Sequence, residues 1–217
     1  MAQEIKFYQI YYRDLQLSHL YPFAIPYFND KLTPFFENAV IKKLVLEADC
    51  DKISVTSWAL RSKMRLNIRK LTREVLEEDY DVLSFSRSSK FHKMLAGAEV
   101  WHPGFTELLT KIMVKAVNII PKEPKYPVYQ NAFIAKSQIY KKYVTEFLIP
   151  CMDVMVNDAE INKLCWQNAN YTKLKREPLT DKAKIDLGVG YYPMHPFICE
   201  RFFSQWLETQ NLKVEYL

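Results

Sequence analysis

Asp49-Cys-Asp-Lys-Ile-Ser-Val-Thr56 and Asp79-Tyr-Asp-Val-Leu-Ser-Phe85 decide how the rest of the chain is read. In each, an acidic turn runs straight into a short apolar segment. Short apolar runs bounded by turn residues are the pattern of strands buried on both faces. A helical pattern precedes each run. Before the first, Phe36, Val40, Ile41, Leu44 and Val45 recur at helical spacing through Glu47. Thr33-Pro34 opens that stretch as an N-cap followed by proline at a position whose N–H lacks a partner anyway. Before the second, Thr72 is placed to cap a short helix reaching Glu78. Helix, acidic turn and strand therefore occur twice after a first strand at Ile5–Tyr12. The alternation predicts an α/β fold with a mostly parallel sheet and helical crossovers.

Outward from these strands (Lys52–Leu60 and Val82–Phe85) the pattern changes. Arg13 to Asn29 holds Pro22 and Pro26 among aromatic residues and reads as an apolar loop. From Ser88 the chain turns helical, over 88–100, 105–120, 131–148 and 151–168, with Pro150 ending or kinking the third of these. Asn170 to Tyr192 is polar and irregular. His195-Pro196 opens a last helix to about Gln210, and Leu212 to Tyr216 alternates as a closing strand. The chain is expected to form one domain over 1–217, with Pro121 to Pro127 as the only candidate subdomain break.

Composition narrows the functions. Hydrophobic residues make up 49% of the 217 residues, which excludes a disordered chain. Only four glycines are present, and no P-loop or G-x-G-x-x-G turn occurs. Cys50, Cys151, Cys165 and Cys199 form no C-x-x-C pair and read as reduced thiols. The N-terminal residues lack a secretory layout and no run of eighteen apolar residues exists, so the cytoplasm is the expected location. The net charge is +5, and Arg61 to Lys70 carries five cations in ten residues. Phosphate, nucleic acid and an anionic lipid surface all fit that segment, as does a solvated connector. Peripheral membrane contact stays open, and nucleic acid is not the expected partner.

In open α/β sheets, ligands bind at the carboxyl ends of strands. That rule selects Tyr11, Tyr12 and Arg13 after the first strand, Trp58 to Arg61 after the second, and Ser86 to Ser89, with Arg87, after the third. Each offers a hydroxyl or a ring beside an arginine, whose planar fork suits a diphosphate. The expectation is that the three strands lie side by side and their trailing loops share one pocket. Asp49-x-Asp51 and Asp79-x-Asp81 precede strands, at the opposite edge, and read as turn residues, so no metal is assigned.

Other candidates lie in the helical half. In the last helix, Cys199, Phe202 and Trp206 mark a buried face, with Glu200 on its border. Arg201 sits near the positive end of the helix dipole, where a cation needs a carboxylate or a bound anion. Glu200 and Arg201 either contact a ligand or lock helices together. His195 is placed for proton transfer or phosphate contact. Asn131 is a cap or a ligand contact. Asp153 is the one acid between Phe147 and Val156, and reads as a general base or as a helix cap.

Leu32-Thr-Pro-Phe-Phe-Glu-Asn38, Ile53-Ser-Val-Thr-Ser-Trp58, Tyr129-Gln-Asn-Ala-Phe-Ile134 and His195-Pro-Phe-Ile-Cys-Glu-Arg-Phe-Phe-Ser-Gln-Trp-Leu207 together resemble a family of bacterial glycosyltransferase-like proteins of surface-polysaccharide synthesis. The resemblance spans most of the chain. It implies a small Rossmann-like, GT-A-like sheet flanked by helices, with a helical C-terminal half. It also implies a nucleotide-sugar donor and a glycan or lipid-linked acceptor. It places Trp58 and Arg61 after the central strand and matches Asn131, Glu200 and Arg201 to later motifs. Mn2+ or Mg2+ is the cation such chemistry would use, and the chain departs from the family in lacking a D-x-D after a strand. A non-catalytic binding or assembly protein is the competing expectation.

Overall fold

The computed structural model describes residues 3–66, 71–72, 75–76, 78–86, 93–170 and 178–217. In chain order the elements are β1 (Ile5–Tyr11), a 3-10 turn (Asp14–His19), β2 (Ile25–Phe28), α1 (Glu37–Leu46), β3 (Lys52–Ser57), α2 (Leu60–Met64), β4 (Val82–Ser84), α3 (Met94–Trp101) and α4 (Phe105–Val117). They continue with β5 (Phe133–Lys136), α5 (Ser137–Tyr143), α6 (Ile149–Asn157), α7 (Ala159–Cys165), α8 (Asp181–Leu187), α9 (His195–Leu207) and β6 (Val214–Tyr216). The six strands form one sheet in the order β2-β1-β3-β5-β4-β6. All run parallel except β5, which is antiparallel to both of its neighbours.

Every residue of β3 is buried, as the apolar reading of Ile53 to Val55 requires. Successive residues feed opposite faces of the sheet, the two-residue period of a strand. Phe133 and Ala135 enter a large core on one face, with Ile53, Val55 and Val82. Ile134 and Leu83 enter a smaller core on the other, with Phe7, Tyr21 and Phe85. The helical C-terminal half supplies most of the large core. Phe203 of α9 stacks on Phe133 with ring centroids 3.8 Å apart, and Tyr143 meets Phe203 edge-on at 4.9 Å.

Several expectations are corrected. The second and third strands read from the sequence are parallel but not adjacent, because β5 lies between them. The residues of β5 read as the start of a helix: a four-residue apolar run carries no period, and only its tertiary pairing makes it a strand. The proline-bearing loop after β1 contains β2. Its Pro26 is tolerated because β2 is an edge strand that needs no second set of ladder bonds. The helix assigned to Thr33-Pro34 starts at Glu37, since the Thr33 carbonyl accepts from the Phe36 N–H (3.0 Å) in a separate turn. The span 151–168 is two helices, broken where Asp158 caps α7 by accepting from the Ile161 N–H (2.9 Å). The irregular stretch before Tyr192 contains α8, capped by Thr180. Pro150 does not end the helical run. A π-helical turn over Val144–Leu148 joins α5 to α6, which accommodates the missing proline N–H.

The acidic turns are structural. Asp51 accepts from the Glu4 N–H (2.8 Å), and Asp81 accepts from the Lys213 N–H (2.9 Å) and from the Lys136 ammonium (2.9 Å). They hold the amino ends of β1, β4 and β6 in line. Buried Lys52 donates to the carbonyls of Leu76 (3.1 Å) and Glu78, and its ammonium lies 3.9 Å from the Tyr80 ring centroid. Burial lowers its pKa, and the like charge of Lys136, directly opposite on β5, lowers it further.

The Phe133–Phe203 stack is the closest ring pair in the large core. Phe203→Ala is expected to destabilise the fold by about 3–5 kcal/mol, read as a shift in the urea midpoint. A loss under about 1 kcal/mol would mean that the site repacks and that the stack does not couple α9 to the sheet.

Candidate functional site

A cavity of about 350 Å³ opens at the carboxyl edge of β1 and β3. Strand order reverses here: from β1 the chain goes outward to β2, then returns to form β3 on the other side. Such a reversal leaves a crevice, because the connections on its two sides leave in opposite directions. Tyr12 and Arg13 reach the cavity from β1, Trp58 from β3 and Lys63 from α2. Phe36 and Glu37 come from the start of α1, and Pro196, Phe197 and Glu200 from the first turns of α9. The segment from Pro178 to Tyr192 closes the remaining side.

Two buried glutamines fix the loops. The Gln16 side-chain oxygen accepts from the N–H groups of Tyr12 (2.7 Å) and Arg13 (3.2 Å). The Gln9 oxygen accepts from the Tyr21 N–H (2.6 Å), and its amide nitrogen donates to the Ser57 carbonyl (3.4 Å). The Trp58 N–H donates to the Ile10 carbonyl (2.8 Å), which locks the two trailing loops together. Neither glutamine stands out in the sequence. A buried polar residue inside the strand pattern at Gln9 is the one signal that could have marked it.

The Tyr12 hydroxyl is buried, facing Glu37, Asn29 and Tyr192. Burial, then the negative charge of Glu37, holds its pKa well above that of a free tyrosine. Phe36, beside Glu37, has φ 49° and ψ −125°, a strained conformation for a residue with a side chain. Its ring stacks on Tyr192 with centroids 6.0 Å apart. Asp186 accepts from the Leu32 N–H (3.1 Å) and the Lys182 ammonium (2.9 Å), which pins α8 across the cavity. The lining also carries Arg13 and Lys63, from the segments that follow β1 and β3, and Glu37 and Glu200, from α1 and α9.

The structure thus brings together Tyr12, Trp58 and Glu200. Tyr11 packs its ring on Phe28 (5.2 Å) and Arg61 is exposed on α2, both off the cavity wall. Arg87 lies outside the described residues. Asn131 is buried and donates to the Asn38 side-chain oxygen (3.2 Å), so it positions α1 and does not line the cavity. Asp153 is exposed in the middle of α6, where it neither caps a helix nor faces the cavity. Arg201 has the carboxylate its place near the helix start demands: it donates to Glu200 at 3.1 Å and lies over the rings of Phe105 and Tyr129 at 5.9 and 5.8 Å.

His195 lies in the core, 1% exposed, edge-on to Phe35 (5.2 Å) and Trp166 (5.0 Å). Among the described residues no group of three or more His, Cys, Asp and Glu could hold a metal ion, and no helix is long and apolar enough to cross a membrane. The chain matches no protein-family model, curated protein or solved structure with which it was compared.

Burial holds the His195 imidazole down at about 4, against a weaker opposing pull from the Cys165 carbonyl. An unfolded histidine titrates near pH 6.5, so between these values the unfolded chain binds the extra proton. The resulting contribution to stability is complete above about pH 6.5 and is lost towards pH 4, by up to about 3 kcal/mol. Urea midpoints measured from pH 7.5 to 4 should therefore fall more steeply for the parent than for His195→Gln. Parallel curves would show that His195 takes up its proton equally in both states.

Proposed function

We propose that the chain is a glycosyltransferase-like enzyme that moves a sugar from a nucleotide-sugar donor to a glycan or lipid-linked acceptor. The observation that carries the reading is the convergence of Tyr12 and Trp58 on one cavity at the strand-order reversal, among charged side chains of both signs. Trp58 and Tyr12 offer faces for a base or a sugar ring. Arg13 and Lys63 would face the diphosphate, and the first turns of α1 and α9 add the positive ends of two helix dipoles.

In the transfer, an acceptor hydroxyl oxygen bonds to the anomeric carbon, and the bond from that carbon to the diphosphate oxygen breaks. The electron pair leaves with the nucleoside diphosphate, and the hydroxyl proton passes to a carboxylate. Glu200 or Glu37 would take that proton, while Arg13 and Lys63 would offset the charge on the leaving diphosphate. The described residues do not form a ligand set for Mn2+ or Mg2+, so no step is assigned to either ion. The sheet, mostly parallel and flanked by helices, accords with the GT-A-like architecture that the sequence resemblance implies.

Thermal-shift and calorimetric titration with uridine and guanosine diphosphates and their sugars, with and without manganese, is the test. At least one donor should bind, and Trp58→Ala should weaken it by roughly 1–3 kcal/mol, the value of one ring stack on a base. Whichever of Glu200→Gln and Glu37→Gln removes the base should lower kcat by about 10²–10⁴-fold while leaving donor affinity nearly unchanged. Silence across all donors would end the proposal.

A further inference from the structure

The chain that follows β1 also exposes several large apolar side chains. Leu15 and Leu17 of the 3-10 turn are 83% and 42% exposed, and Phe23, before β2, and Phe28, its last residue, are 40% and 47% exposed. Single exposed apolar residues are ordinary, but a group of them marks a contact surface. Two contacts tie this stretch of chain to the segments on either side of α2. Phe23 stacks on Tyr21 (5.4 Å, 13° between planes), whose hydroxyl donates to the Leu66 carbonyl just beyond α2 (3.3 Å). His19, at the end of the 3-10 turn, lies 5.6 Å from Trp58, just before α2. Phe28 packs on Tyr11 at the end of β1.

The second observation is charge. Arg61, Lys63 and Arg65 project from α2 and its C-cap, all exposed, and none forms an ion pair among the described residues. Cations that are paired elsewhere, such as Lys111 with Glu107 and Glu160, serve the fold. These three do not. Aliphatic and aromatic side chains interleaved with unpaired cations match the boundary of an anionic bilayer. The apolar groups enter the headgroup–acyl boundary while the cations meet lipid phosphates. A nucleic acid would engage the cations and rings but give Leu15 and Leu17 nothing to bury against.

We propose that this surface docks the protein peripherally onto an anionic phospholipid bilayer. Lys63 belongs to both the surface and the cavity wall, and Gln16 lies between Leu15 and Leu17 in the wall, so docking turns the cavity mouth towards the lipid. The proposal stands whether or not the cavity transfers a sugar. If it does, docking selects an acceptor carried on a lipid.

The full chain is to be sedimented with vesicles of phosphatidylcholine alone and with vesicles that also contain phosphatidylglycerol. Binding is expected to the anionic vesicles only, and to weaken as salt rises. Leu15→Ser combined with Leu17→Ser should weaken it at least about tenfold. Arg61→Gln and Arg65→Gln should weaken it roughly fivefold each. All four side chains are exposed, so the Tm should not move, and donor titration on the same variants separates docking from the cavity's own ligand. Failure to bind anionic vesicles, or equal binding by the double leucine variant, overturns the proposal. So does retention on single-stranded DNA with no vesicle binding.

Discussion

Four residues of β5 join what would otherwise be two separate parallel ribbons. On one side lie β2, β1 and β3, and on the other β4 and β6. Only β5 is hydrogen-bonded to both groups, through Ile53–Ala135 on one edge and Val82–Ala135, Leu83–Ile134 and Ser84–Phe133 on the other. Phe133, Ile134 and Ala135 are fully buried, so this bridge lies in the driest part of the molecule. There a lost backbone bond is not replaced by one to water. The packing of the bridge is correspondingly dense. Phe133 lies against Phe203 and Tyr140, and the Ser54 hydroxyl donates to the Phe133 carbonyl at 2.7 Å.

The bridge also bears on where the cavity lies. Because β5 separates β3 from β4, the carboxyl end of β4 is not beside that of β3, and the cavity lies over the β1–β3 pair. Its walls are then completed from the helical half, by the starts of α1 and α9. The backbone carries strain on both sides of this junction. Phe36 has positive φ at the cavity wall, and Gln130 and Asn131 both have positive φ just before β5. The Asn38–Asn131 hydrogen bond ties the two segments together inside the core. Strain of this kind persists only where the surroundings over-determine it. The two asparagines, buried and bonded to each other, are that constraint.

Much of the fold was legible because the governing signals were local. The acidic turns before Ile53 and Val82, the helical spacing from Val40 to Val45 and the proline-initiated α9 each depend on neighbours in sequence. What sequence reading missed was decided at long range. Phe133-Ile-Ala-Lys136 is a strand because β3 and β4 offer it partners, and Ile25 to Phe28 is a strand because β1 offers an edge. The cavity follows the same division. Tyr12 and Trp58 were legible from the rule that ligands gather at carboxyl strand ends. Glu37 and the glutamines that hold the loops were not, since nothing in their immediate sequence shows that α1 starts at the cavity or that Gln9 and Gln16 are buried. Asp153 stood out for its apolar neighbours, yet the helical period turns it to solvent.

The pairing of Glu200 with Arg201 shows how one helix start serves both packing and the cavity. A cation so near the positive end of α9 is unfavourable alone, and a carboxylate that lines a cavity loses hydration. Their side chains are 20% and 12% exposed, so neither is fully solvated. Bonding Arg201 to Glu200 meets both costs at once, and the rings of Phe105 and Tyr129 hold the guanidinium from behind. The Arg201 Nε remains buried without a partner, so this arginine is anchored by one charged contact and two ring faces. Removing Arg201 would free Glu200 to turn, whereas removing Glu200 would leave a cation stranded against a helix N-terminus. The acid is thus the member whose loss the fold tolerates less, and it is also the member that faces the cavity. The position of Glu200 on the cavity wall is thus set by the same contacts that pack α9.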